Sequence, residues 1–179
     1  MSELPILLAG EGANRFAALR GIEPFDVPAA VSRDGQHDTV GCVARDQQGR
    51  VAVATSTGGL THQMPGRVGD APLPGCGFYA DDHVGGVAVS GDGESIARIL
   101  LASRVIDALY RHPAQPAVLT ALEGLARVGG EAGIIALDSE GRFGIAHNSK
   151  HFALAVDASW LRQPIAGICS EDFERSLDG

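Results

Sequence analysis

In the run that starts at Thr39, apolar residues return at every second position, Val40, Cys42 and Ala44, which is the period of a strand. The run ends in Arg45-Asp46-Gln47-Gln48-Gly49-Arg50, and Val51-Ala52-Val53-Ala54 comes out of it, so residues 39–57 read as a β-hairpin. The pattern returns near the C-terminus: Ile134-Ile135-Ala136-Leu137 leads into Asp138-Ser139-Glu140-Gly141-Arg142, and Phe143-Gly144-Ile145-Ala146 leads out. Both turns carry Asp-x-x-Gly-Arg, with glycine at the position that needs a positive φ in a short hairpin loop. Common turn chemistry suffices to explain the likeness, and no duplication is inferred from it.

Between the hairpins the period changes. Ser95 to Arg111 sets Ile96, Ile99, Leu100, Ile106 and Leu109 on one stripe, which predicts a helix closed by Pro113. A second helix is predicted over Ala117 to Arg127, carrying Val118, Leu122 and Leu125 and stopping at Gly129-Gly130. Ahead of the first hairpin, Leu4 to Ala9 reads as a buried strand broken by Gly10-Glu11-Gly12. Ala13 to Arg20 follows as a short helix with Gly21 as its stop. Ile22 to Asp38 is aperiodic, interrupted by Pro24 and Pro28, and reads as a linker. After His147 the pattern predicts a strand over Phe152 to Val156, then a less regular segment around Trp160. Strands, then helices, then strands predict an α+β fold, with helices packed on the faces of a mainly antiparallel sheet.

A chain of 179 residues, 45% hydrophobic and 20% charged, fits one globular domain with a real core. The net charge of −8 argues against nucleic acid and anionic membranes as partners. Cys42, Cys76 and Cys169 have neither CxxC nor metal-ligand spacing, so they read as thiols of a reducing compartment. The start, Met1-Ser2-Glu3-Leu4-Pro5, lacks the basic and long apolar regions of a signal peptide, and no apolar run reaches membrane-spanning length. A cytoplasmic protein is expected.

The candidate chemistry lies from His37 to Glu94. Thr39, in His37-Asp38-Thr39-Val40-Gly41, could by itself simply begin a strand. Glycine-rich stretches follow: Thr55-Ser56-Thr57-Gly58-Gly59, Gly66-Arg67-Val68-Gly69-Asp70, Gly75-Cys76-Gly77-Phe78-Tyr79-Ala80-Asp81-Asp82 and Ser90-Gly91-Asp92-Gly93-Glu94. A phosphate loop is excluded, since no Lys-Ser/Thr follows the glycines. Asp81-Asp82-His83 lacks partners at metal-ligand spacing, so neither a metal nor a cofactor is expected. His62, His83, His112, His147 and His151 read as surface or packing residues.

Taken together and in this order, these motifs resemble the threonine-type N-terminal-nucleophile hydrolases, the family of plant-type L-asparaginase/isoaspartyl peptidase and glycosylasparaginase. The resemblance spans about residues 4–155 and is densest from His37 to Glu94. It implies an αββα sandwich with mainly antiparallel sheets and self-cleavage between Asp38 and Thr39. It also implies a hydrolase of β-aspartyl amide bonds, acting on L-asparagine, isoaspartyl dipeptides or both. The chemistry is coherent: a hydroxyl needs an adjacent base, and a free α-amine with a pKa of about 7.7–8.0 is a base within the same residue. By position, Thr57 matches the hydroxyl that orients the nucleophile. Arg67 matches the clamp on the substrate α-carboxylate and Asp70 the acceptor of its α-ammonium. Ser90 and Gly91 match the oxyanion hole.

The chain departs from the family at two places. Ser90 stands where threonine is usual. Only 38 residues precede Thr39, whereas the family has a long α-segment there that includes a structural sodium loop. Residues 1–38 are therefore expected to be a remnant of that segment with its linker, and 39–179 the β-segment. The sandwich would then be incomplete on its N-terminal side, with dimerisation expected to cover exposed edges. His37-Asp38-Thr39, Asp81-Asp82 and Gly91-Asp92-Gly93 resemble the glycosylasparaginase branch, and Thr57-Gly58-Gly59 the asparaginase branch. An uncleaved, non-catalytic relative that binds a partner or an amino acid is the alternative of a different class.

Overall fold

The computed structural model describes residues 7–23, 39–60 and 62–168. In chain order these form α1 (Gly10–Leu19), β1 (Thr39–Arg45), β2 (Val51–Thr57), β3 (Phe78–Asp81), β4 (Gly85–Gly91), α2 (Gly93–Ile99), α3 (Leu101–Leu109), α4 (Ala114–Leu125), β5 (Ala132–Asp138), β6 (Phe143–His147), β7 (Leu154–Val156) and β8 (Ile165–Gly167).

The two Asp-x-x-Gly-Arg turns fold in the same way. Asp46 Oδ1 accepts the N–H groups of Gln48 and Arg50 (both 2.9 Å), and Asp46 Oδ2 accepts Arg50 Nε at 2.6 Å. Asp138 Oδ1 accepts those of Glu140 (3.0 Å) and Arg142 (2.9 Å), and its Oδ2 accepts Arg142 Nε at 2.7 Å. Gly49 and Gly141 each stand at φ 84°, the left-handed region that glycine enters without a Cβ penalty. One carboxylate thus replaces the missing backbone acceptors of the loop.

β1 and β2 form a two-stranded sheet, with Thr39 opposite Thr57. β3-β4-β5-β6 form a second, wholly antiparallel sheet, and β7-β8 a small third one. The hairpin lies on β4: a Cβ on Gly41 would stand 2.8 Å from Ala88 Cβ, and one on Gly86 would meet methyls of Val43, Val51 and Val53 at 2.7–2.9 Å. Small residues at these crossings let the two sheets approach. On the opposite face of the large sheet, α3 and α4 pack with α2 to form the core, in which Val87, Ile96, Leu101, Val105, Val118, Leu125 and Ile134 are fully buried. Covered on both faces, residues Gly85 to Val89 of β4 are all buried. The outer edge of β6 is closed by Gln115 of α4, whose amide bonds both the N–H and the C=O of Ile145 at 2.9 Å.

Among the described residues the layers are therefore β, β and α. The second helical layer of the expected sandwich is not among them. Val40, Cys42, Ala44, Ala52 and Ala54 leave the outer face of the hairpin exposed, and α1 buries none of its residues. The α+β class with mainly antiparallel sheets is as the pattern predicts.

Several expectations need correction. The stripe from Ser95 to Arg111 is two helices, because Leu100 adopts φ 54°, ψ 55°. The cause is tertiary: the loop after Asp70 offers the carbonyls of Cys76 and Gly75 to the N–H groups of Ala102 (3.2 Å) and Ser103 (2.9 Å), capping a new helix start. Arg104 Nε closes the other side of the break on the Ile99 carbonyl at 2.8 Å. The next helix begins at Ala114, not Ala117, since Pro116 falls in a first turn that needs no N–H donor. Gly10 to Gly12 lie within α1 instead of breaking the chain before it. Leu7 to Ala9 form no strand, and the rest of that expected strand and residues 24–38 of the expected linker lie outside the described residues. The expected strand at Phe152 shortens to β7. No helix among the described residues is long and apolar enough to cross a membrane.

Candidate active site

Hairpin register alone brings two threonines together. Thr39 opens β1 and Thr57 ends β2 as its cross-strand partner, and the Thr39 hydroxyl donates to Thr57 Oγ1 at 3.0 Å. The same Oγ1 accepts the N–H of Gly59 at 3.1 Å, so it is held from two sides. Asp38, the residue before the expected cleavage point, lies outside the described residues.

Ser90 and Gly91 end β4. On β4 the residues at Gly86 and Ala88 face the hairpin, so the period of two turns the Ser90 side chain to the face where Thr39 stands. Asp92 N donates to the Glu131 carbonyl at 2.8 Å, which makes 92/131 the hydrogen-bonded position of the β4–β5 ladder. In an antiparallel pair the next position is then non-hydrogen-bonded, and the Gly91 N–H is turned away from β5. On that side β3 stops beside Ala88. A hydroxyl and a backbone N–H thus leave the end of one strand together.

Arg67 and Asp70 sit one step further along, beside Gly93. Both Asp70 Oδ1 (2.7 Å) and Arg67 Nη2 (3.0 Å) lie against the point where a Cβ on Gly93 would stand, so glycine is needed there for space. Arg67 is held by Glu94 through Nε (2.6 Å) and Nη2 (2.9 Å) and by Gln63 Oε1 through Nη1 (3.0 Å). A guanidinium has five N–H donors; these bonds use three and leave one each on Nη1 and Nη2. The bond to Glu94 raises the Arg67 pKa, and the same bond lowers that of Glu94. Asp70 is 5% exposed, and its Oδ2 has no hydrogen-bond partner among the described residues. Burial pushes its pKa above the ordinary carboxylate value, against the pull of nearby backbone N–H groups and Arg67. The loop that carries it is tied to β2 by the Thr55 hydroxyl, which donates to the Ala71 carbonyl at 2.7 Å.

Thr39, Thr57, Ser90 and Gly91 all line one open cavity of about 800 Å³, whose far wall includes His151 and Phe152. Arg67 and Asp70 are not among its lining residues; they stand against Gly93, next in the chain to the cavity residue Asp92. Sequence reasoning assigned no role to Glu94, Asp92 or the 149–155 wall. Glu94 and Asp92 were legible in the Ser90–Glu94 motif, but only the fold shows what they bind. Asp81 and Asp82 serve backbone N–H groups, of His83 (2.9 Å) and Val51 (2.6 Å).

The family model described as "Asparaginase" matches residues 26–162, well over half of the chain. The chain belongs to the asparaginase family. A probable isoaspartyl peptidase/L-asparaginase of Drosophila pseudoobscura is 39% identical over 142 residues, covering 75% of this chain and 43% of the relative. A plant-type L-asparaginase of Pyrobaculum calidifontis is 37% identical, covering 83% of this chain and 58% of its own length. An isoaspartyl peptidase of Salmonella typhimurium is also 37% identical, with 81% and 56% covered. The chain spans about half the length of these curated relatives.

Proposed function

We propose that this asparaginase-family chain carries the reactive part of a self-cleaving, N-terminal-nucleophile hydrolase of β-aspartyl amide bonds, in which Thr39 is the nucleophile. The observation that carries this reading is the Thr39–Thr57 hydroxyl contact, set in one cavity with Ser90 and Gly91. Within the intact chain the Thr39 nitrogen is an amide and cannot act as a base. Attack of the Thr39 hydroxyl on the Asp38 carbonyl shifts the acyl group from nitrogen to oxygen, and water hydrolyses the resulting ester. The new α-amine then takes the hydroxyl proton as Oγ1 attacks the side-chain carbonyl of the substrate. Thr57 holds the nucleophile in place during this step.

The tetrahedral oxyanion accepts hydrogen bonds from the Ser90 hydroxyl and the Gly91 N–H. As it collapses, the leaving amine takes a proton from the Thr39 ammonium, and water releases L-aspartate from the threonine ester. The two N–H donors left on Arg67 suit a planar α-carboxylate. The Asp70 carboxylate has the charge that suits an α-ammonium, and such a partner would offset the cost of burying it. The second helical layer belongs to this reading of the fold as an αββα sandwich.

Two measurements on the purified chain test the proposal. Intact mass after incubation at neutral pH is expected to show a new fragment of residues 39–179. Release of L-aspartate from a β-aspartyl dipeptide is expected to appear with it. A chain that keeps its full mass and releases no aspartate refutes the proposal and favours an uncleaved, non-catalytic relative.

A further inference from the structure

The turn from β4 into α2 poses a hydrogen-bonding problem that one side chain solves. Asp92 directly follows the last residue of β4 and is the N-cap of α2. Its N–H donates to the Glu131 carbonyl at 2.8 Å, as a ladder residue should, but its own carbonyl accepts Ile96 N–H at 2.9 Å to start the helix. The Glu131 N–H therefore loses the backbone acceptor that an antiparallel pair supplies. Asp92 Oδ2 replaces that acceptor, taking the Glu131 N–H at 2.8 Å.

The other flank of the same segment is held by Asn148. It donates its N–H to the Ala132 carbonyl at 3.1 Å, accepts the Ala132 N–H on Oδ1 at 2.7 Å and donates Nδ2–H to the Gly130 carbonyl at 3.0 Å. Residues 130–132 are thus fixed from both sides. Gly91 is seated directly on them: it stands at φ 148°, and a Cβ there would collide with the Glu131 carbonyl oxygen and stand 2.7 Å from Ala132 Cα. The direction of the Gly91 N–H follows from where Glu131 is held.

We infer that Asp92 is a positioning residue: its carboxylate, by replacing its own carbonyl in the ladder, aims the Gly91 N–H into the cavity as an oxyanion donor. The catalytic part of this inference rests on the proposed function, but the backbone part does not. Loss of the carboxylate frees the Glu131 N–H, lets the strand ends separate and misplaces a donor whose value depends on sub-ångström aim.

The test compares the 179-residue chain with Asp92→Ala and Asp92→Asn, reading by NMR the hydrogen-exchange rate of the Glu131 amide and the 1H–15N shift of the Gly91 amide, beside kcat and KM on a β-aspartyl dipeptide. Asp92→Ala is expected to speed Glu131 exchange by at least about tenfold, to move the Gly91 amide resonance, and to lower kcat by about 10–100-fold with KM within about twofold. Asp92→Asn keeps an oxygen acceptor and is expected to recover most of each. Asp92→Ser, which keeps a good N-cap residue but shortens the arm by one atom, replaces the alanine variant if that one fails to fold. Glu131 exchange or a Gly91 amide shift equal to wild type in the alanine or serine variant overturns the inference, whether or not the chain is active. A fall in kcat that Asp92→Asn does not recover overturns it too. Absence of dipeptide hydrolysis by the wild-type chain counts against the proposed function alone, and the Glu131 and Gly91 amides then decide the positioning claim.

Discussion

Replacing Thr57 by valine separates what its hydroxyl does for stability from what it does for the nucleophile proposed at Thr39. Valine keeps the β-branched shape that suits the end of β2, so the hairpin register should survive. Two hydrogen bonds are lost, from the Thr39 hydroxyl (3.0 Å) and from the Gly59 N–H (3.1 Å). Each neutral bond is worth about 0.5–1.5 kcal/mol net. Because Thr57 is exposed, water takes over part of that role and the total should stay near 1 kcal/mol. For a chain of this size that lowers the thermal midpoint by about 2–4 °C. The kinetic loss should be larger. A nucleophile freed from its orienting partner loses about 10–100-fold in rate, or about 1.4–2.7 kcal/mol of transition-state stabilisation. Self-cleavage followed by intact mass, dipeptide turnover and a melting curve on the same sample measure all three quantities. A variant that cleaves and turns over within twofold of wild type would falsify the role given to Thr57. A fall in midpoint beyond about 8 °C would mean instead that the hydroxyl holds the fold.

Asp70 and Leu100 give two further tests. Burial raises the Asp70 pKa, so the folded chain binds more protons than the unfolded one between the ordinary carboxylate pKa and the raised value, and stability falls as pH rises through that window. Asp70→Asn should therefore be more stable than wild type at pH 7, with the gain vanishing near pH 3, where the carboxyl is protonated in both states, while dipeptide turnover drops. Denaturant melts at the two pH values check this, and a variant less stable at pH 7 refutes it. Leu100 holds a left-handed conformation while half exposed, at 52%. Leu100→Gly should raise stability by about 0.5–1 kcal/mol, the relief of backbone strain exceeding the added chain entropy; an unchanged or lower melting midpoint contradicts the strain argument.

Local chemistry made much of this protein legible from its sequence. The Asp-x-x-Gly-Arg turns depend on contacts within five residues, so both hairpins could be read directly; the register that sets Thr39 opposite Thr57 came with the structure. The order and spacing of the motifs from His37 to Glu94 pointed to the family. Other features were decided by groups distant in the chain. The break at Leu100 comes from carbonyls of Gly75 and Cys76, which no helical periodicity encodes. Arg67 and Asp70 read as a matched pair, but the fold gives Arg67 to Glu94, 27 residues later, and leaves an Asp70 oxygen without a partner among the described residues. Glu131, against which Gly91 is seated, is held by Asp92 across 39 residues of chain. Turn chemistry and periodicity act over one or two turns of backbone, so sequence determined the hairpins, the helical stripes and the identity of the candidate groups. Which donor meets which acceptor was set by sheet pairing and layer packing, and only the tertiary structure decided it.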